Sequence, residues 1–219
     1  SNYNDAQLRF DDENSGGYAQ TWSVGNDATH SFINVHKSIS RDHNNGHADY
    51  AFFVMVHEIG HALGLGHTGN YNGSADYGTD AAYREDSWTK SVMSYFSQWE
   101  NTWDQSSFAY LITPMMADIM AAQEIYGASK VYNGDTVYGQ NTNVTGYMKD
   151  VFDYMSGAYP WNIYGFEPMA LTITDSGGLD TLDFRFGNYD QVIDLRPGTF
   201  SNVFGLTGNV GIAFGTPIE

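Results

Sequence analysis

Hydrophobic and polar positions along the chain fall into two textures that change near residue 128. In the first, Tyr50 to Val56 is an unbroken apolar run whose length and composition suit a buried helix, and the pattern predicts a helix over 48–66. Upstream, residues 1–30 are polar and read as loop as far as Tyr18-Ala19-Gln20-Thr21-Trp22. His30 to His36 then alternates apolar and polar residues, the period of a half-buried strand. A second helix is expected from Thr113-Pro114, with Met115, Met116, Ile119, Met120, Gln123 and Ile125 at near-helical spacing. Proline suits a first helical turn, and Gly127 ends the helix well. The methionines read as core, since an unbranched thioether fills irregular gaps. Between the two helices, the Gly-, Asn-, Asp- and Tyr-rich stretch from His67 to Thr89 shows no sustained period. A connection that long is usually functional or ion-bound, and it is expected to wrap the site described below.

The second texture alternates short apolar runs with turn signals: Asn133-Gly134-Asp135, Asn141-Thr142-Asn143, Asp175-Ser176-Gly177-Gly178 and Arg196-Pro197-Gly198. Leu171-Thr172-Ile173 and Leu182 to Phe186 read as strands. The expected fold class is therefore α+β, with a first domain over 1–128 and a β-rich module over 129–219. No fixed-period internal repeat is present.

Composition narrows the partners. The 16 Tyr, 13 Phe and 5 Trp argue for a packed chain. No run approaches the roughly eighteen apolar residues of a membrane span, and the polar start Ser1-Asn2-Tyr3-Asn4-Asp5 carries no signal segment. A net charge of −17 excludes nucleic acid and anionic membrane as natural partners and favours cations. Cysteine is absent, so neither disulfides nor thiolate-held zinc enter the picture.

The candidate chemistry lies at the end of the apolar run, in His57-Glu58-Ile59-Gly60-His61-Ala62-Leu63-Gly64-Leu65-Gly66-His67. On a helix His57 and His61 share one face with Cβ atoms about 5–6 Å apart, so both imidazoles can converge on one Zn²⁺. Gly64 can end the helix in a left-handed turn, and only such a reversal brings His67 back as a third ligand. Three ligands leave a fourth position open, as in catalytic zinc sites, and Glu58 is placed to poise a zinc-bound water. A buried helix with ordinary core histidines would explain one of these residues, not three with Glu58 and Gly64 at these offsets. His30, His36, His43 and His47 match no compact site and read as surface or rim residues.

The eleven-residue motif followed by Ser91-Val92-Met93-Ser94-Tyr95 resembles the metzincin metalloproteases, and specifically the serralysin family. The resemblance implies a metzincin catalytic domain, a twisted mixed sheet with an active-site helix and a second long helix. It implies that Met93 is the methionine of the Met-turn and that Tyr95 is an extra zinc ligand. Residues 113–128 are similar to the helix that closes the serralysin catalytic domain. Gly134 to Gly139 and Asp175 to Asp180 look like the start of its calcium-binding β domain. Carried over by position, Tyr132, Gly134, Thr136, Asp175, Gly177 and Asp180 would hold one Ca²⁺, and Gly178, Asp180, Pro217 and Glu219 a second. Oxygen ligands at these spacings suit calcium; on spacing alone, ordinary Asx and Gly turns fit equally well. The sequence stops at Glu219, before the nonapeptide repeats of that family, so a fragment is expected.

The implied activity is that of a secreted, extracellular zinc endopeptidase acting on protein or peptide substrates, with a proteinaceous inhibitor as a further partner. Glu58 would be the general base, Tyr95 would assist the oxyanion, and the peptide would lie along a strand edge, with Phe32–His36 as the candidate strand. The competing expectation is a catalytically inactive zinc-containing binding module of the same fold.

Overall fold

A computed structural model describes residues 7–24, 27–39, 49–128, 130–156, 168–186 and 188–218. The chain opens with β1 (Leu8–Asp11), β2 (Gly17–Val24) and β3 (Asp27–Val35), which form a sheet in the order β1-β3-β2. β3 matches the alternation read from the sequence, and Ile33 and Val35 point into the core. β1 falls in the stretch expected to be loop, while β2 covers Tyr18 to Trp22, where that reading stopped without assigning a strand. Both are largely exposed, so their apolar residues cover no core; their ladders with β3 hold them in place. Asn34 is fully buried and pins the turn between them, donating from Nδ2 to the carbonyls of Asn14 (2.6 Å) and Gly16 (2.8 Å). Because β3 is flanked on both sides, Phe32–His36 cannot be a free edge; among the described residues β1 and β2 are the two edges, and β2 is the one that reaches α1 at Glu58.

Helix α1 (Tyr50–Ala62) is shorter than the 48–66 expected. Asp49 caps its start, accepting from the Phe52 N–H at 2.7 Å. It stops at Ala62 because Gly64 takes φ 92°. The Gly64 and Leu65 N–H groups then bond the carbonyls of His61 (2.9 Å) and Gly60 (3.0 Å), the two bonds of a Schellman turn. Phe53 and Val54 pack with Ile33, Val35, Trp88, Val92, Met93 and Leu111 in the first core.

Beyond the short α2 (Tyr77–Asp80) and β4 (Tyr110–Leu111) comes α3 (Met116–Tyr126). It starts later than Thr113, so Pro114 precedes the cap, and Gly127 closes it at φ 86°. Met115 and Met116 are core as expected, but Met120 and Ile125 are half exposed. Met120 stands four residues after Met116 and Ile125 seven after Asp118, close to the same face, so their exposure marks the C-terminal part of α3 running out past the core, where Glu124 and Tyr126 are exposed as well.

The remaining elements are β5 (Val137–Gly139), α4 (Tyr147–Met155), β6 (Met169–Ile173), β7 (Thr181–Asp183), β8 (Phe200–Ser201) and β9 (Val210–Ile212). The amphipathic α4, which buries Val151 and Phe152, interrupts what reads as β-rich sequence. The strand expected over 182–186 pairs with β5 only through Asp183. Past it Phe184 and Phe186 turn to pack on Phe204, with centroids at 5.7 and 4.7 Å. β6 is buried along its whole length, in a sheet of order β4-β6-β9-β8. β4, from the first half of the chain, runs parallel to β6, and Ala170 of β6 sits in the first core. The two halves therefore share a seam. The fold is α+β, and among the described residues no helix is long and apolar enough to cross a membrane.

Candidate metal centre

The turn at Gly64 brings His67 back over α1, so that the ligand atoms of His57, His61 and His67 all lie within 4.8 Å of one another. Each ring commits Nδ1 to a backbone carbonyl: His57 to Val92 (2.7 Å), His61 to Leu65 (2.8 Å) and His67 to Tyr71 (2.9 Å). A carbonyl only accepts, so each Nδ1 carries the proton and each Nε2 presents a lone pair. His61 and His67 face each other Nε2 to Nε2 at 2.9 Å. Two lone pairs at that distance repel, and a shared cation removes the conflict. Burial pushes the His57 pKa down to about 4, and His61 and His67 push the same way against the Val92 bond. His67 is lowered by burial and by His61. Neutral imidazoles are the form a metal requires, so the donor set fits Zn²⁺.

Glu58 is buried at 6 % exposure one position after the first histidine. Burial pushes its carboxyl up to about 7, against a backbone hydrogen bond from Ala19 of β2. Its Oε2 is buried and has no hydrogen-bond partner among the described residues. Gly17 makes this approach of strand to helix possible, since a Cβ there would lie 2.6 Å from Val54 Cγ1 and 3.2 Å from Glu58 Oε1.

Below the histidines lies the turn from Ser91 to Tyr95. Met93, 1 % exposed, packs so closely on Gly60 of α1 that a Cβ at Gly60 would fall well inside contact distance of Met93 Sδ. Asp118, in the first turn of α3, clamps this turn. One oxygen accepts from Ser91 Oγ (2.5 Å), and the other accepts from the N–H groups of Val92 (2.7 Å) and Met115 (2.8 Å). Val92 in turn holds His57, so α3 reaches the metal centre through one residue. Sequence reading missed Asp118; its only signal is an acid in the first turn of the predicted helix. Tyr95 packs its ring against His67 (centroids 4.4 Å) and His57 (6.2 Å), and its hydroxyl accepts from the Gly73 N–H at 3.2 Å. The connection from Thr68 to Thr89 does wrap the site, through Tyr71 and Gly73.

His30 stacks on Trp22 at 4.7 Å and His36 bonds Ser38 at 2.6 Å, both at the surface as expected; His43 and His47 lie outside the described residues.

The residues carried over for calcium lie on two facing loops. Tyr132 takes φ 51°, and a Cβ on Gly178 would lie 2.5 Å from the Gly134 carbonyl carbon. Thr136 donates its N–H to Asp180 (2.9 Å), while Asp175 accepts from Gly177 N–H (2.8 Å) and from the Tyr138 hydroxyl (2.5 Å). Both carboxylates are buried. Burial and their charges push the Tyr138 phenol far above its ordinary pKa. These oxygen donors fit a hard cation. For the second set, Thr216, next to Pro217, accepts from the Asp175 N–H at 3.1 Å, and Glu219 lies outside the described residues.

Comparison with known proteins follows the same division. Residues 2–75 match the family described as Matrixin, 45–118 that described as Met-zincin, and 128–219 that described as Peptidase M10 serralysin C terminal. Serralysin B of Dickeya chrysanthemi is 37 % identical over 219 residues, covering 98 % of this chain and 42 % of the relative. Metalloprotease AprA of Pseudomonas entomophila is 39 % identical over 181 residues, 80 % of this chain and 35 % of the relative. Serralysin of Photorhabdus luminescens is 40 % identical over 175 residues, 78 % and 34 %. The chain thus spans less than half the length of the curated relatives it matches. A Met-zincin motif on α1 followed by a serralysin C terminus is one family's order of parts, and the chain belongs to the serralysins, a family of metzincin metalloproteases.

Proposed function

We propose that this chain carries the catalytic centre of a secreted zinc endopeptidase, with a catalytic domain over 1–128 and the start of a calcium-binding domain over 129–219. One observation carries the reading: three histidines turn their Nε2 atoms to a common point beside a buried carboxylate with an unpartnered oxygen. Zn²⁺ bound by His57, His61 and His67 would acidify a water and polarise the scissile carbonyl. Glu58 takes the proton of the attacking water and delivers it to the leaving amine; burial keeps its affinity for that proton high. Tyr95 would add a ligand to such an ion at rest, and its hydroxyl would donate to the oxyanion once peptide is bound. The peptide lies in extended form along the free edge of β2, where Ala19 already reaches Glu58. Met93 and Gly64 shape the site. Tyr132, Gly134, Thr136, Asp175, Gly177 and Asp180 hold one Ca²⁺; Gly178, Asp180, Pro217 and Glu219 hold another. A proteinaceous inhibitor would occupy the same edge as substrate. An inactive zinc-binding module would have no use for Glu58, and that position argues for catalysis.

Hydrolysis of casein with and without a zinc chelator tests this directly. Activity should vanish with chelator and return with zinc, and Glu58→Gln should lose at least about 10²-fold in kcat with zinc still bound. Activity that survives either treatment would sink the proposal.

A further inference from the structure

Helix α1 fixes His57 and His61 relative to each other, but His67 and Tyr95 sit on loops beyond the Gly64 turn. What holds those two in place converges on one side chain. Asp86 is 3 % exposed and lies in the connection between the motif and the Met93 turn. Its Oδ1 accepts from the Thr68 hydroxyl and from Ser94 Oγ (2.6 Å). The Tyr71 hydroxyl reaches both of its oxygens, at 3.2 and 3.1 Å. Its own carbonyl is held by Asn101 Nδ2 at 2.9 Å. Among the described residues no ion pair neutralises it, so the carboxylate is held by hydroxyl donors alone.

Those donors flank the loop-borne groups on both sides. Thr68 follows His67 directly. Tyr71 accepts the His67 Nδ1 proton on its carbonyl, stacks on the His67 ring with centroids at 5.7 Å, and packs on the Tyr95 ring at 4.8 Å. Ser94 precedes Tyr95, whose N–H donates to the Tyr71 hydroxyl at 3.4 Å. We propose that Asp86 is the positioning residue that sets His67 and Tyr95 against the two helix-borne histidines. Hydrogen bonds to a charged acceptor are the strong ones, and groups that orient metal ligands tune affinity although they never touch the metal. This rests on the zinc reading of the site given above.

The experiment measures zinc affinity by chelator competition, and the visible absorption of the Co²⁺-loaded protein as a report on ligand geometry, for the full chain and for Asp86→Asn and Asp86→Ala. Zinc affinity should fall by about 10- to 100-fold, more for alanine than for asparagine, with an altered Co²⁺ spectrum in a chain that remains folded. Variants that melt at lower temperature yet keep the parent's zinc affinity and Co²⁺ spectrum would overturn it, leaving Asp86 a structural residue. Should Asp86→Ala not fold, Tyr71→Phe removes the hydroxyl but keeps the carbonyl that His67 uses. Its zinc affinity should drop several-fold, and an unchanged affinity and spectrum there overturn the proposal equally. A parent chain that takes up no zinc defeats the zinc reading itself; zinc uptake with insensitive variants defeats this inference alone.

Discussion

Each histidine at the metal centre commits one ring nitrogen to the backbone, and that decides what the other can do. The carbonyls of Val92, Leu65 and Tyr71 fix the tautomers, so three lone pairs meet where, among the described residues, no donor answers them. Tyr95 differs from the histidines in having a choice. Its hydroxyl rests on the Gly73 N–H, an exposed and replaceable contact, while its ring is held against His67. A group placed this way suits a role that changes between resting and substrate-bound states. Tyr95→Phe keeps the ring packing and loses only the hydroxyl. Its kcat should fall by about 10²-fold, the effect of losing one oxyanion donor, while zinc content by metal analysis stays near that of the parent. If zinc content fell in step with kcat, Tyr95 would be a structural residue.

At the scale of elements, α1 is defined by what lies beneath it as much as by its ligands. Gly60 sits one position before His61 because Met93 occupies the space a side chain would need. Gly60→Ala should cost about 1–3 kcal/mol through overpacking, or roughly 2–4 °C of melting temperature per kcal/mol at this chain length. Gly66→Ala, where nothing lies within 4 Å of an added Cβ, is the control. Combining Gly60→Ala with Met93→Ala should cost less than the sum of the two changes; strict additivity in thermal melts would refute the packing argument. The same element shows why the sequence was legible here. The apolar run, Asp49, Gly64 and the histidine spacing all specify one helix and one turn. β1 and β2 offered no such agreement: Leu8-Arg9-Phe10-Asp11 alternates over only four residues, and Leu8, Phe10, Tyr18, Trp22 and Val24 are all exposed, so their apolar positions mark no buried face. Their places come from pairing with β3, which local sequence does not encode, and that concealed both the free edge and the Ala19–Glu58 contact. Asp118 and Asp86 escaped for a related reason. Both act on residues far along the chain, 26 positions from Asp118 to Val92 and 18 from Asp86 to Thr68.

Across the whole molecule, the loops proposed to hold calcium and the metal centre are joined by β6. Asp175 and Asp180 lie in the connection between this strand and β7. Within it, the Thr172 N–H donates to Thr113 Oγ1 at 2.8 Å and its hydroxyl meets Met115 Sδ at 3.6 Å. Met115 is also where Asp118 begins its clamp on the Met93 turn. The loop that carries Asp175 and Asp180 is thus connected to the turn beneath the histidines by a buried strand, not through solvent. In a chain of net charge −17, the two buried carboxylates Asp175 and Asp180, on one loop, repel each other unless a cation lies near. An ion that binds only the folded chain stabilises it by about 2.7 kcal/mol at a hundredfold excess over its Kd. Raising Ca²⁺ at constant zinc should therefore lift the melting temperature by about 5–10 °C. Asp175→Asn and Asp180→Asn should each flatten that response. The residual activity of calcium-depleted protein should fall before its zinc is lost, because the floor loosens while the three histidines remain. A melting curve indifferent to Ca²⁺ from micromolar to millimolar levels would mean that these loops are ordinary turns, and that β6 holds the seam without an ion.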